Sequence, residues 1–112
     1  MKSSINFNKL IKPVPFRSIL KMKDWLVWGG SIVKEKDLYY LYFSRWPRKY
    51  GHQGWLTHSE IAYAVSDDPL GPFKVQDTIL GKREDNVWDK DTAHNPNILK
   101  WNNKYYLYYT GN

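Results

Sequence analysis

The sequence predicts an all-β fold. Three observations carry that expectation. Aromatic residues make up 17% of the 112 residues, with 6 Trp and 9 Tyr, and flat side chains of this kind pack well on pleated surfaces. No window keeps apolar residues at helical spacing for three turns. A two-strand segment also occurs twice along the chain.

The elements follow in order. Residues 1–23 read as a basic N-terminal arm, with Lys2, Lys9, Lys12, Arg17, Lys21 and Lys23 and no acid. Pro13 and Pro15 forbid a helix across that stretch. Trp28 to Lys34 predicts a short strand containing a Gly pair. Tyr39 to Ser44 predicts a second strand after a polar turn, and Arg45 to His58 a long loop rich in Trp, Pro and Gly. Glu60 to Ser66 predicts a third strand, with Ile61, Tyr63 and Val65 on one face and Ala62 and Ala64 on the other. The turn DDPLGP then leads to a weaker fourth strand, Phe73 to Leu80. A polar loop, Gly81 to Ala93, precedes a last strand pair at Pro96 to Lys100 and Lys104 to Tyr109.

That last pair copies the first. Residues Ser31 to Ser44 align without a gap on Asn97 to Thr110, at an offset of 66. Six of fourteen positions are identical, among them Lys34/Lys100 and the run YYLY. Two strands, two more, then the first two again is the grammar of a β-propeller, whose blades are four-stranded antiparallel sheets. The expected architecture is therefore a propeller fragment of about one and a half blades. Residues 24–80 form the first blade. Residues 81–112 form an inter-blade loop and the first two strands of the second blade. Such a fragment leaves apolar faces and an open edge, so we expect a homo-oligomer, or further blades beyond Asn112.

Composition excludes several classes of function. There is no Cys, so thiol chemistry, disulfides and Cys-ligated metal are excluded. His52, His58 and His94 show no ligand spacing, and no metal or cofactor is expected. The net charge of +6 sits in the arm, because residues 24–112 carry eleven bases and eleven acids. A nucleic-acid partner is therefore not expected, since such proteins carry their bases on the folded face that meets phosphate. No segment is long and apolar enough to span a bilayer, so no membrane partner is expected. With no continuous apolar run near the start, a cytoplasmic location is the default expectation, with an extracytoplasmic one left open.

The runs DWLVWGGSIV, YYLYFSRWP, SEIAYAVSDDPLGPF, WDKDTAHNPNIL and KYYLYYTGN resemble the five-bladed β-propeller glycoside hydrolases of the family 43 type and their invertase-like relatives. The resemblance covers about residues 24–112. It implies hydrolysis of glycosidic bonds in a poly- or oligosaccharide by carboxylates at the propeller axis, one protonating the leaving oxygen and another activating water. The first-blade position that is Asp in that family falls near Gly30–Ser31 here, and the second falls on Asn95–Pro96, so neither is a carboxylate. Asp24, which precedes the first inner strand, and Asp89 and Asp91, which precede the second, are the candidates to supply the missing groups. No counterpart of the third-blade acid lies within these residues.

Each candidate also has a plainer role. Asp24 can cap a turn, and Asp89 and Asp91 can be solvated loop charges. His94 and Asn95 open the second inner strand, where they can contact sugar hydroxyls or simply bond to backbone. Trp28 and Trp46 can stack on a pyranose face or pack the blade. Arg45 can bind a carboxylated sugar. Glu60 must face solvent or pair with Arg45 or His58, since an unpaired buried carboxylate is costly. Three functional expectations follow, the first two being a glycosidase-like propeller acting on carbohydrate and a non-catalytic carbohydrate-binding or interaction module of the same lineage. A small aromatic barrel binding single strands is the third, and the internal repeat argues against it.

Overall fold

The computed structural model describes residues 4–112. Six strands run antiparallel: β1 (Trp25–Glu35), β2 (Leu38–Pro47), β3 (Glu60–Ser66), β4 (Lys74–Leu80), β5 (Ala93–Trp101) and β6 (Lys104–Gly111). The first four form one sheet in the order β1-β2-β3-β4, and β5 and β6 form a separate hairpin. The fold is all-β in its regular sheets, and no sheet closes into a barrel. No helix among the described residues is long and apolar enough to cross a membrane.

All six predicted strands are present, several of them longer than expected. Trp25 to Val27 join β1, and Arg45 to Pro47 extend β2, because Trp25 pairs with Pro47 and Val27 with Arg45. Helix is not wholly absent, contrary to the expectation. Single turns form at α1 (Phe7–Leu10), where the Asn6 side chain accepts from Asn8 N, and at α2 (Trp55–His58). One turn needs no amphipathic period, so the helical-spacing test has nothing to detect.

The repeat holds at the level of backbone geometry. In the first hairpin Ser31 pairs with Tyr42 and Lys34 with Tyr39. In the second Asn97 pairs with Tyr108 and Lys100 with Tyr105, so the offset of 66 is kept throughout. The first strand of each hairpin, β1 and β5, carries a bulge at the same place, between Trp28 and Ser31 and between His94 and Asn97. Each bulge holds one left-handed residue, Gly29 at φ 57° and Asn95 at φ 51°, the residue types that tolerate that region. Both turns are two residues long and begin at positive φ, 54° at Lys36 and 48° at Asn102, but only the second continues in that region, at Asn103 with φ 59°. This register corrects one sequence alignment. The first-hairpin counterpart of Asn95–Pro96 is Gly29–Gly30 rather than Gly30–Ser31.

The core of the sheet lies on one face of β2 and β3. Phe43 sits opposite Ala62, and Leu41 opposite Ala64, so each large side chain meets a small one across the strands. Phe43, Ala62 and Ala64 are fully buried, and Leu20 and Met22 of the arm pack over them with Val27, Phe73 and Val75. On the other face Tyr63 stacks between Tyr40 and Tyr42, at centroid distances of 6.4 and 6.1 Å.

The second hairpin lies across β1 and β2 through β5. Polar groups set its position. Ser44 Oγ accepts from Asn95 N at 2.8 Å, Ser31 Oγ accepts from Ile98 N at 3.1 Å, and Ser59 O accepts from Ala93 N at 3.0 Å. Hydroxyls from one sheet thereby satisfy amides in the bulge and on the outer edge of β5.

Candidate functional site

The two bulges abut. A Cβ placed on Gly29 would lie 3.5 Å from Asn95 Oδ1, so the bulges of β1 and β5 meet at one point. Trp28 and His94, which precede the bulges, flank that point. The long segment after β2 folds over it as a series of single turns, ending in α2. Trp46 pins this segment by donating from Nε1 to Gly51 O at 2.9 Å. Gly54 lets it pass close, because a Cβ there would lie 2.7 Å from Tyr50 Cβ and 2.8 Å from Trp46 Cδ1.

The result is a cavity of about 250 Å³ lined by Trp28, Trp46, His52, Trp55, His94 and Asn95. Its walls are aromatic. Trp55 stacks on His94 at a centroid distance of 5.0 Å, Trp46 meets the same ring edge-on at 5.7 Å, and Trp28 meets His52 edge-on at 6.1 Å. Trp46 is fully buried, whereas Trp28 is half-exposed at the rim.

His94 is the best-fixed polar group here. Its Nδ1 bonds to Ser59 Oγ at 2.7 Å, and the Ser59 carbonyl holds the amide of Ala93 beside it. Burial lowers the His94 pKa below the ordinary imidazole value, because the low-dielectric surroundings disfavour the charged ring. The ring is therefore neutral at pH 7, and no protein group among the described residues bonds to Nε2. Neutral His94 and the Asn95 amide offer hydrogen bonds, while the indoles offer flat apolar faces. A polyhydroxylated ring fits that chemistry, stacking its C–H face on Trp and directing hydroxyls to the polar pair. No carboxylate lines the cavity.

The remaining sequence candidates lie elsewhere. Arg45 and Glu60 pair at 2.8 Å, as one of the three expected arrangements had it. Arg45 also donates to Thr78 Oγ1 at 2.8 Å, Thr78 Oγ1 donates to Glu60 at 2.7 Å, and the guanidinium lies over Trp25 at 4.4 Å. These contacts clamp β2, β3 and β4 together. Glu60 and Asp91 line a second, smaller cavity of about 170 Å³ with Trp25, His58 and Lys82. Asp89 is buried and bonded to Arg83 and to the Tyr109 hydroxyl. The Tyr109 hydrogen bond above all lowers its pKa. It ties the polar loop to β6 and is not a solvated charge. Asp24 is exposed, and its carbonyl accepts from Arg48 N at 2.8 Å. Asp24, Asp89 and Asp91 are therefore not brought together in the aromatic cavity, and only Asp91 reaches a cavity with a second carboxylate.

Sequence reasoning missed His52, Trp55 and Ser59. The loop's density of Trp and His was the available signal, but the segment gave no period from which to assign an inward face. No protein-family model matches the chain, and no curated protein matches it.

Proposed function

We propose that this chain is part of a glycoside hydrolase-like β-propeller, and that the aromatic cavity at the meeting of its two inner strands holds one ring of a poly- or oligosaccharide. The observation that carries the reading is the cavity itself. Three indoles, a neutral buried histidine and an asparagine converge where two copies of one hairpin abut. The inner end of each hairpin is where propellers gather side chains around their axis. Hydrolysis would require one carboxyl to protonate the leaving oxygen and another to activate water.

A second reading is a binding module of the same lineage without catalysis. The absence of a carboxylate from the cavity lining favours it. One titration separates the two. The protein is titrated with xylo-, arabino- and galacto-oligosaccharides while tryptophan emission and released reducing ends are followed. Binding with turnover supports the hydrolase, and binding without turnover supports the module. Trp55→Ala is expected to weaken binding about tenfold, the loss of one stacked face. If no saccharide perturbs the emission, the carbohydrate reading fails in both forms.

A further inference from the structure

The first copy of the repeated hairpin shows what its second copy lacks along one edge. β2 has a neighbour on each edge, β1 and β3, whereas β6 pairs with β5 alone. Among the described residues no backbone hydrogen bond from outside that hairpin reaches Lys104 to Gly111. Alternate residues of β6 therefore turn their amides and carbonyls away from β5, toward an empty position.

This edge is also unguarded. The three other strands at sheet edges are each interrupted by a bulge: β1 between Trp28 and Ser31, β5 between His94 and Asn97, and β4 opposite Ile61–Ala62 and again opposite Tyr63–Ala64. β6 runs through its 8 residues without one. It holds no proline, and its one charged side chain is Lys104, at the first position. Bulges, prolines and charges along a strand are what keep an edge from pairing, so β6 is the edge left able to accept another strand.

The first hairpin also defines which strand fits. On β3, Ala62 lies opposite Phe43 and Ala64 opposite Leu41. The counterparts of Phe43 and Leu41 are Tyr109 and Leu107, so the empty position calls for small residues opposite those two. On that face Trp88 already stacks on Tyr109 at 6.1 Å, which narrows the room further. A second copy of the chain offers no such strand. Its β1, β4 and β5 edges are bulged, its arm is interrupted by Pro13 and Pro15, and its β6 would set large side chains against large ones.

We propose that the outer edge of β6 takes an extended segment of a partner polypeptide, added antiparallel, with alanine, serine or glycine opposite Leu107 and Tyr109. Main-chain hydrogen bonds supply the affinity, and the two small positions supply the selection.

A labelled peptide SEIAYAVSDD, the sequence of Ser59 to Asp68, is the probe. Its fluorescence anisotropy is followed as the full chain is added, and amide hydrogen exchange is measured on the complex. The expected result is saturable binding that slows exchange in β6. A peptide carrying Ala62→Leu and Ala64→Leu should bind about tenfold more weakly, the cost of overpacking beside Leu107 and Tyr109. Sedimentation of the chain alone completes the test. A monomeric chain that ignores the peptide overturns the proposal. Equal binding of the leucine peptide overturns it too, as does exchange slowed elsewhere than in β6. A dimer that already shields β6 overturns it as well, since a second copy then holds the edge.

Discussion

The two hairpins β1–β2 and β5–β6 share a register, a bulge, a left-handed residue and a turn length, yet their equivalent side chains meet different surroundings. Ile98 is 9% exposed and Ile32 is 47% exposed. Ser44 is fully buried, while its counterpart Thr110 is exposed. Local sequence therefore sets the shape of each hairpin, and position in the stack sets what that shape buries. The first hairpin is flanked by β3 on its edge and by β5 on its face, whereas the second has a neighbour on one face only. The same strand sequence is thus core in one place and surface in the other.

The largest effect expected from this difference is on the paired isoleucines. Ile98→Ala should cost about 2–4 kcal/mol in chemical denaturation, since it removes buried methyl groups between the hairpins and leaves a cavity. Ile32→Ala should cost under about 1 kcal/mol, because half of its surface already meets water. Equal costs at the two sites would mean that the first hairpin's outer face is covered in solution.

The bulges give a smaller effect. Gly29→Ala places a side chain at positive φ without a close contact, as its Cβ would be 3.5 Å from the nearest atom. The backbone alone should then cost about 1–2 kcal/mol. Gly29→Asn should cost less, since Asn already holds the equivalent position in the second hairpin. If alanine and asparagine prove equally harmful, crowding rather than φ governs the bulge.

The smallest effect is a pH dependence confined to the second hairpin. Burial depresses the folded-state pKa of His94, so the unfolded chain takes up that proton first. Stability is then complete above the ordinary imidazole pKa of about 6.5 and falls as the pH drops through it. Thermal unfolding followed from neutral to mildly acid pH should show that decline in the wild type and a shallower one in His94→Gln. The corresponding Trp28 does not titrate, so the first hairpin has no such term. An unchanged slope in the variant would rule out His94 as the source.

Most of the strand plan was legible because strands here announce themselves locally. The sequence YYLYFS and its copy carry aromatic and branched side chains at every position but Ser44, and Gly29–Gly30 and Asn95–Pro96 mark the two breaks. The Arg45–Glu60 pair could be foreseen from the cost of leaving a carboxylate unpaired at the start of β3. The cavity could not be read in the same way. Its members come from β1, from the end of β2, from the turns after it and from β5. Their convergence depends on a loop whose path is set by Trp46 bonding to Gly51 and by the close passage at Gly54.

By itself, the sequence determined the six strands and the repetition of one hairpin at an offset of 66 residues, because φ/ψ preference and alternation act over neighbouring residues. Only the tertiary structure decided which copy is buried, which tryptophans share a cavity with His94, and that Asp89 is held by Arg83 and Tyr109 rather than facing solvent. Those outcomes depend on contacts between residues far apart in the chain, which the local sequence of either hairpin does not specify.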